Sequence, residues 1–345
     1  MNSTNRLTVA QLIATPGGNW GGMEKHTADL AEELARAGHR VHVLAHPGYR
    51  HRFSHEITFH PLPVQWGRRN PLLKLPLRQM LRKLSPDVIH AQGNKAAALI
   101  SGMEIPGSIT VGTVHGTKSS HKDFDKLDGV IAVSKGILKS LSHPAKTLIH
   151  NGLKLQNKEK KTTHPVPGNQ HFAVAIGRLE PVKQFDCLIS AWASIKPALP
   201  LYILGEGSQA QKLKAQLQRL DAESFIKLPG YEDNPTAWLQ QASVCVISSA
   251  REGFPYTLVE ALLVRCPVLS TPVNGSLEML PAESLATATD VSALQTLLSA
   301  QLADPESLKK SQTACFEFAS RELTLEAMAT RTAAFYYELQ ESIHT

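Results

Sequence analysis

Short apolar runs alternate along the chain with longer segments whose apolar residues recur at helical spacing. The segment 23–37, for example, repeats apolar residues every three or four positions and stops at Gly38, which predicts an amphipathic helix. The runs that predict strands in the first part of the chain are 7–13, 41–45, 87–91, 108–115, 129–134 and 147–150. Strands and helices that alternate in this way are typical of a parallel sheet covered on both faces.

A polar stretch at 154–170, rich in Lys, Asn and Pro, interrupts the alternation and is the best candidate for a linker. A second series of strand-like runs follows it, at 172–177, 201–205, 225–230, 244–248 and 267–271. The pattern predicts an α/β protein of two Rossmann-like domains, whose parallel sheets face each other across a cleft. We place the domains at 1–163 and 164–325, and we expect the helical segment 326–345 to pack back toward the N-terminal domain.

The composition narrows the class of protein without changing this architecture. A chain of 345 residues is too long for one typical core, and 42% hydrophobic with 19% charged residues is ordinary for a globular enzyme. No apolar run has the length that a membrane-spanning helix requires. The four cysteines are dispersed and form no C-x-x-C pair, which favours reduced thiols in a cytoplasmic protein.

Charge is distributed unevenly along the chain. Residues 1–160 hold 22 Lys and Arg against 11 Asp and Glu, which leaves 14 basic and 19 acidic residues for the remainder. A basic N-terminal half suits an anionic partner such as lipid headgroups, nucleic acid or a phosphorylated acceptor. Because the sequence contains no aromatic–basic platform or recognised nucleic-acid module, we expect no nucleic-acid partner.

One basic segment, 66–83, has two interpretations that the sequence leaves open. It holds six basic residues and no acid, interleaved with five leucines, so it could lie on an anionic leaflet at the inner face of the cytoplasmic membrane. It could equally cover the sheet before the strand at 87–91. Pro71 and Pro76 argue against one long helix in either case.

Two glutamates eight positions apart, Glu252 and Glu260, mark the most informative segment. An apolar run precedes them, Gly253 and Pro255 turn the chain between them, and a helical pattern follows. A strand, a short loop and a helix N-terminus present backbone N–H groups to an anionic ligand at the edge of a sheet. Two carboxylates in this setting can hold hydroxyls of one polyhydroxylated ligand, which points to a nucleotide-sugar site. By itself, Glu260 could also be a solvated charge on a helix face.

Two further groups of residues carry weaker signals. Arg178 and Lys183 lie five positions apart between a strand and a helix, where a guanidinium and an ammonium suit a diphosphate but could also be solvated cations. The glycine-rich loop 17–22 opens the helix at Met23. Its glycines allow a close approach to a phosphate, although tight turns also use glycine for structure alone.

Several motifs in a fixed order connect these residues to a known family. They are G-G-M-E-K-H, P-D-V-I-H-A-Q-G, T-V-H-G-T, I-H-N-G, I-G-R-L-E-P-V-K and L-G-E-G-S, followed by the E-x7-E pair. Over nearly its whole length the chain resembles the retaining GT-B glycosyltransferases of family 4, group 1. That family contains many bacterial lipopolysaccharide, capsule and glycolipid sugar transferases. The resemblance implies that the N-terminal domain binds the acceptor and the C-terminal domain the nucleotide sugar.

The resemblance also implies roles for four residues in the reaction. Arg178 and Lys183 would hold the donor diphosphate and stabilise it as it departs. Glu252 would contact hydroxyls of the donor sugar. His115 matches a histidine near the reacting sugar, although a histidine that ends a strand is more often a structural residue.

Donor binding is implied for a second set of residues. Glu260 would bind the nucleotide ribose, and Gly22 would lie near the donor phosphates and the acceptor. Gly253, Phe254 and Pro255 would shape the donor pocket, with backbone N–H groups of the same loop assisting.

The implied reaction moves a hexose or N-acetylhexosamine from a nucleotide diphosphate sugar, with UDP favoured, to a glycan or lipid-linked acceptor of a bacterial surface polysaccharide. The family retains the anomeric configuration, by a front-face attack in which the departing phosphate helps to deprotonate the acceptor. We expect no metal and no other cofactor, because no D-x-D pair ends a strand and fixed cations can stabilise the leaving group.

Two departures and two rivals accompany this hypothesis. Arg265 stands where the family usually has glycine, and the segment 273–275 replaces a more common double glycine. An epimerase or phosphorylase of the same fold is disfavoured by the E-x7-E spacing. The other rival is a catalytically silent subunit that binds nucleotide or glycan and supports a partner transferase, against which the intact charged residues argue.

Overall fold

The computed structural model describes residues 6–18, 20–64, 70–116, 120–154, 161–168 and 171–344. The chain forms two compact units. The first unit consists of Met1–Gly152 together with Thr324–Thr345, and the second unit is Leu153–Leu323. The chain therefore leaves the first unit after its sixth strand-like run and returns to it for the final helix.

The first division comes earlier than the predicted boundary after residue 163. The backbone N–H groups of Thr163 and His164 donate to the Glu232 carboxylate at 2.9 and 3.0 Å, so these residues are fastened to the second unit. Two parts of the predicted linker, 155–160 and 169–170, lie outside the described residues.

Within the described residues, the first unit is built on a seven-stranded sheet with helices between its strands. In chain order its elements are β1 (Thr8–Ile13), α1 (Gly22–Arg36), β2 (Arg40–Ala45), β3 (Thr58–Pro61), α2 (Pro71–Leu84), β4 (Val88–Gln92), α3 (Gly93–Ile100), β5 (Ile109–Val114), β6 (Gly129–Ala132), α4 (Lys135–Ser140) and β7 (Lys146–Leu148). The strand order is β3-β2-β1-β4-β5-β6-β7, and every neighbouring pair is parallel. The carboxyl ends of all seven strands therefore open on one edge.

The sheet of the first unit shows which strands the hydrophobic pattern can reveal. β4 and β6 are buried along their whole length, which matches their unbroken apolar runs. The hydrophobic pattern did not reveal β3, an edge strand with two exposed and two half-buried residues. A strand that buries little apolar surface leaves no apolar run in the sequence.

The second unit repeats the design with a smaller sheet. Its elements among the described residues are β8 (Ala173–Ile176), α5 (Phe185–Ile195), β9 (Leu201–Leu204), α6 (Ala210–Arg219), β10 (Ile226–Gly230), α7 (Pro235–Gln241), β11 (Val244–Ile247), α8 (Tyr256–Leu263), β12 (Val268–Ser270), α9 (Asn274–Met279), α10 (Val291–Gln301), α11 (Pro305–Ser311) and α12 (Thr313–Glu322). The strands are parallel in the order β10-β9-β8-β11-β12. Both units are thus Rossmann-like α/β folds.

The final helix, α13 (Leu325–His344), packs into the first unit against α1. Phe335, Tyr336 and Leu339 are buried in the same core as residues of β1, β4 and β5. Gly129 makes room for the helix, since a Cβ at that position would lie 2.5 Å from the Leu339 Cδ1 atom. The core of the first unit is therefore completed by the last residues of the chain.

α2 forms one continuous helix, so the expectation that Pro71 and Pro76 prevent one is wrong. Pro71 occupies the first helical turn, where a missing N–H costs nothing, and Pro76 removes a single hydrogen bond. Leu73, Leu77 and Leu81 are at most 1% exposed, and their burial stabilises the helix. Residues 66–69 of the predicted basic segment lie outside the described residues.

Candidate functional site

In the second unit, Lys183 and Glu252 meet at the carboxyl edge of the sheet. β8 and β11 are parallel neighbours, so the loops that follow them leave the same edge side by side. The Lys183 Nζ atom donates to Glu252 Oε1 at 2.6 Å, and Ser249 Oγ donates to the same oxygen at 2.9 Å. The two charged side chains are 21% and 19% exposed. Partial burial strengthens their attraction but leaves both groups within reach of a ligand.

The backbone around Lys183 is held in place from the neighbouring loop. Lys183 ends a short 3-10 helix, Pro181–Lys183. Ser248 Oγ donates to the Lys183 carbonyl at 2.8 Å, and the N–H of Ala250 donates to the Val182 carbonyl, also at 2.8 Å. These two hydrogen bonds join the loops after β8 and β11, so the ammonium and the carboxylate are fixed relative to each other.

Glycines bring the loops after β8 and β9 into backbone contact. A Cβ on Gly205 would lie 1.9 Å from the Gly177 carbonyl oxygen, and one on Gly207 would lie 2.5 Å from that of Leu179. Both glycines have positive φ angles, +143° and +159°. No other residue fits at such a distance, which explains the L-G-E-G-S motif in physical terms.

Arg178 lies on the same loop as Lys183 but outside its contact with Glu252. Its side chain is exposed at the end of β8. Nearby Glu180 accepts hydrogen bonds from the Ser208 hydroxyl and N–H at 2.8 and 3.2 Å. These hydrogen bonds lower the Glu180 pKa, and the Arg178 charge lowers it further. Arg178 is therefore placed as a second, solvent-accessible cation at this edge.

The loop after Glu252 leads directly into α8. Gly253, Phe254 and Pro255 are buried, and α8 begins at Tyr256, so its N-terminal N–H groups face the carboxyl edge. The Thr257 hydroxyl donates to the carbonyl of Ile176 at 3.2 Å and ties the first turn of α8 to the end of β8.

Glu260 lies on α8 two turns after Glu252 and is half-buried. Gly275, at the start of α9, packs against the loop between them. A Cβ there would lie 2.7 Å from Pro255 Cδ and 2.9 Å from Phe254 Cδ2. Packing therefore requires glycine at position 275.

Arg265 has a left-handed backbone, with φ +59°. This conformation costs an ordinary residue about 1 kcal/mol and costs glycine nothing, which is the physical reason for a glycine in the family pattern. Here the Arg265 guanidinium carbon lies 5.3 Å from the centre of the Phe316 ring. The cation–π contact offsets part of the backbone cost.

In the first unit, Gly22 and His115 stand at the carboxyl edge. Gly22 begins α1, whose N-terminus is capped by the Glu24 carboxylate, since Glu24 accepts from the Gly21 N–H at 3.0 Å. His115 follows β5 and is half-buried. Its Nε2 lies 2.7 Å from the side-chain oxygen of Gln92. Because a carbonyl oxygen can only accept, His115 carries its proton on Nε2.

A network of polar side chains that the sequence did not reveal surrounds His115. Gln92 donates through Nε2 to Gln11 Oε1 at 3.0 Å. The His26 ring lies edge-on at 4.7 Å between centroids, and its Nδ1 is 3.1 Å from Asn151 Oδ1. These residues occupy α1, β1, β4 and the segment after β7, so only the fold brings them together.

Burial keeps the imidazoles of this network neutral at pH 7. It lowers the pKa of His26 to about 4, against the opposing effect of its hydrogen bond to Asn151. His90 of β4, whose Nε2 lies 2.7 Å from the Thr113 hydroxyl, is fully buried, and burial lowers its pKa to about 3, with a further contribution from His26. The pKa of His115 lies well below the usual value because of burial and the two neighbouring imidazoles. The uncharged His115 therefore donates its one N–H to Gln92 and keeps Nδ1 as a hydrogen-bond acceptor.

Two family models match the chain. "Glycosyltransferase Family 4" covers residues 20–157, and "Glycosyl transferases group 1" covers residues 156–315. The two matches meet close to the division between the units.

The curated relatives include a Campylobacter jejuni protein, "N-acetylgalactosamine-N,N'-diacetylbacillosaminyl-diphospho-undecaprenol 4-alpha-N-acetylgalactosaminyltransferase", which is 30% identical over 43% of this chain. The match spans only 42% of that protein. The "Lipopolysaccharide core biosynthesis glycosyltransferase LpsE" of Rhizobium meliloti is 24% identical, over 75% of this chain and 78% of its own length.

Solved structures share the whole fold at low sequence identity. A glycosyltransferase from Rickettsia africae superposes with a TM-score of 0.81 and 16% identity, over 97% of this chain and 99% of its own. Anabaena HepE in complex with UDP gives a TM-score of 0.78 and 18% identity, over 97% and 100%. With both family models matched and the two Rossmann-like units in place, the chain belongs to the group 1 glycosyltransferases of the GT-B fold.

Proposed function

We propose that the chain transfers a hexose or N-acetylhexosamine from a UDP-sugar to a glycan or lipid-linked acceptor, with retention of the anomeric configuration. The observation that carries this proposal is the half-buried contact between Lys183 and Glu252 at the carboxyl edge of the second unit. It places a cation and a carboxylate on fixed loops, where α/β folds bind nucleotides.

The contact suits both parts of a nucleotide sugar. A diphosphate that enters the edge offers Lys183 a stronger partner than one carboxylate, and Arg178 adds a second charge on the same loop. Glu252 then exchanges its ammonium partner for hydroxyls of the sugar. As the glycosidic bond breaks, negative charge grows on the diphosphate, and the two cations stabilise it without a metal ion.

The donor assignment is supported by what related proteins bind. Anabaena HepE has been solved with UDP and with UDP-glucose. The Campylobacter jejuni relative carries N-acetylgalactosaminyltransferase in its name. A UDP-linked hexose or N-acetylhexosamine is consistent with both, with Glu260 on the ribose and the loop Gly253–Pro255 around the sugar.

The acceptor assignment is supported in the same way. Relatives are named for the lipopolysaccharide core, for Vi polysaccharide and for a diphospho-undecaprenol carrier. We therefore place the reaction in the synthesis of a bacterial surface polysaccharide, in the cytoplasm at the inner face of the cytoplasmic membrane. In this arrangement Gly22 and His115 of the first unit serve the acceptor and the reacting sugar.

A screen of nucleotide sugars tests the proposal. We expect one UDP-sugar to raise the melting temperature above the shift that UDP alone produces, and to be consumed when a lipid-linked glycan is added. Proton NMR of the early product should show the anomeric configuration of the donor. Stabilisation by UDP-sugars without turnover on any acceptor would favour a silent, nucleotide-binding subunit, and inversion of the anomer would refute retention.

Contact with a membrane is a separate proposal, supported by the exposed side of α2. Leu72 and Leu75 are 64% and 59% exposed, and Arg78, Arg82 and Lys83 on the same helix are exposed as well. Exposed leucines beside cations suit an anionic leaflet. In the part of the chain that the structure describes, no helix is long and apolar enough to span a bilayer.

Sedimentation with phosphatidylglycerol vesicles tests this contact. We expect salt-sensitive binding by the wild type that weakens in the variant Leu72→Ser/Leu75→Ser. Leu277→Ser, which removes a 54% exposed leucine from the second unit, is the matched control and should bind normally. Wild-type protein that stays in the supernatant at low salt would refute the contact.

A further inference from the structure

The turn after β2 carries a compact group of cations at the carboxyl edge of the first unit. A 3-10 helix, Pro47–Arg52, begins directly after the strand. Arg50, His51 and Arg52 are exposed in its last turn. Its one buried residue, Tyr49, anchors the turn to the core.

The turn is fastened to the glycine-rich loop that opens α1. The hydroxyls of Thr15 and Tyr49 are hydrogen-bonded at 3.1 Å. Gly17 has φ +83°, and a Cβ there would lie 1.9 Å from the Nδ1 atom of His46. The cations are therefore held beside the loop that leads to Gly22, where an α/β fold binds its ligands.

Aromatic rings orient both arginines. The guanidinium carbon of Arg52 lies 5.4 Å from the centre of the Trp20 ring, and that of Arg50 lies 5.8 Å from the Phe59 ring. Trp20 itself packs edge-to-face on Tyr49 at 5.4 Å. A cation–π contact uses the flat face of a guanidinium and leaves its N–H edges available.

Neither arginine is neutralised within the described residues. No carboxylate of the described chain lies within ion-pair distance of Arg50 or Arg52, and Glu56, the nearest acid in sequence, pairs with neither. Two oriented and unpaired guanidinium groups on one turn are a pre-organised receptor for an oxyanion.

We propose that Arg50 and Arg52 bind a phosphate group of the acceptor, so that the acceptor is a phosphate-bearing glycan or a glycan on a phosphate-linked lipid. A phosphate offers several oxygens to the two forks of N–H groups, whereas a neutral sugar offers neither charge nor bidentate geometry. The proposal rests on the transferase function proposed above and adds the chemical class of its acceptor.

Binding of a sugar phosphate to the full chain tests the proposal. With the donor site saturated by UDP, we expect N-acetylglucosamine 1-phosphate to bind and N-acetylglucosamine to bind at least about ten-fold more weakly. The variant Arg50→Gln/Arg52→Gln should lose about ten-fold in affinity for the phosphate and keep its affinity for UDP. Arg40→Gln, an exposed arginine at the opposite end of β2, is the matched control and should behave as the wild type.

The remaining outcomes either overturn the phosphate-binding proposal or distinguish it from the transferase proposal on which it rests. Equal affinity of the double variant and the wild type for the sugar phosphate overturns it, as does failure of the wild type to bind. A double variant that loses binding only to phosphatidylglycerol vesicles assigns the arginines to the membrane surface, which also overturns it. If phosphate binding depends on the arginines but no UDP-sugar is ever consumed, the phosphate site stands and the transferase proposal fails.

Discussion

At the carboxyl edge of the second unit, Lys183 and Glu252 hold opposite charges 2.6 Å apart. Near the carboxyl edge of the first unit, three imidazoles are instead hydrogen-bonded to uncharged side chains, and burial keeps their charged forms rare. The two sheets have the same topology at their centres, so the difference lies in the side chains that each sheet carries. The Lys183–Glu252 contact balances charge, whereas the imidazoles around His115 hold uncharged hydrogen-bonding groups in fixed orientations.

This difference fits a reaction in which charge develops on one substrate only. The proposed leaving group is a diphosphate, and its new charge calls for fixed cations in the second unit. A neutral His115 donates its one N–H to Gln92, so its Nδ1 can accept a hydrogen bond from a sugar hydroxyl.

Removing the cation of the second unit should produce the largest effect. In Lys183→Met the developing charge loses its nearest partner, and we expect the turnover number to fall about 10²–10³-fold. The measurement is steady-state release of UDP. Lys212→Met removes a lysine whose ion pair with Asp186 is more exposed, and that variant should keep its activity. A Lys183→Met enzyme as active as the Lys212→Met control would contradict the charge-balancing role.

Acidification should destabilise the first unit more than the second. His26 and His90 titrate in the unfolded chain near pH 6.5 but in the folded chain at about 4 and about 3. The unfolded state therefore binds more protons than the folded state below pH 6.5. The stability that comes from the neutral, buried histidines is fully present above that pH and is lost as the pH falls toward 4. At pH 5.5 each of the two buried histidines should lower the free energy of unfolding by about 1 kcal/mol.

Hydrogen exchange, corrected for the intrinsic rate at each pH, measures that difference directly. Peptides from β1, β4 and α13 should lose protection between pH 7 and 5.5. Peptides from β8 and β11 are the internal reference. Equal losses in both sets would show that the buried histidines do not set the acid limit.

Removing the hydrogen-bond partner of His115 should have a smaller effect on activity than removing Lys183. Gln92→Leu removes the acceptor of its Nε2 proton, and we expect kcat/KM to fall about ten-fold while the affinity for UDP is unchanged. Gln11→Leu disturbs Gln92 without touching His115 and should cost less. In Gln92→Glu the new carboxylate should raise the His115 pKa, so the acid side of the pH–rate profile should move upward. An unmoved profile would assign Gln92 to structure alone.

The smallest effect concerns Arg265. Glycine at this position removes the backbone cost of the left-handed conformation but loses the contact with Phe316, so Arg265→Gly should lie within about 1 kcal/mol of the wild type in urea unfolding. Arg265→Ala loses the contact and keeps the backbone cost. The alanine variant should therefore be the less stable of the two. The reverse order would show that the left-handed backbone at position 265 carries no cost.

The sequence was a good guide where its signal is local. Strands that are buried on both faces, such as β4 and β11, announce themselves as apolar runs. The edge strand β3 does not, because its residues are half-exposed. The prolines of α2 gave the wrong expectation, since the burial of Leu73, Leu77 and Leu81 outweighs one missing hydrogen bond.

The residues of the candidate site also differ in whether their sequence context predicts their position. Lys183 and Glu252 each follow a predicted strand, so a shared edge could be expected, and the structure places them in contact. The contact is all that the structure adds, and every role given to a site residue stays a prediction: those of Arg178, Lys183, Glu252 and His115 in the reaction, and those of Gly22, Gly253, Phe254, Pro255 and Glu260 in donor binding. His26 and Gln11 could not be found, because each looks like an ordinary helix or strand residue until distant segments meet. Their importance depends on contacts between residues that are far apart in sequence, and a single sequence does not show those contacts.

The position of α13 has a consequence for the order in which the protein is made. The ribosome completes residues 1–152 and then spends roughly 10–30 s on the second unit, at ~5–20 residues per second, before Phe335, Tyr336 and Leu339 are added. Throughout that interval the nascent first unit lacks the ring that caps His90 and the side chains that cover Gly129. The unit whose translation begins first therefore cannot complete its core until α13 has been made, which is after the whole second unit.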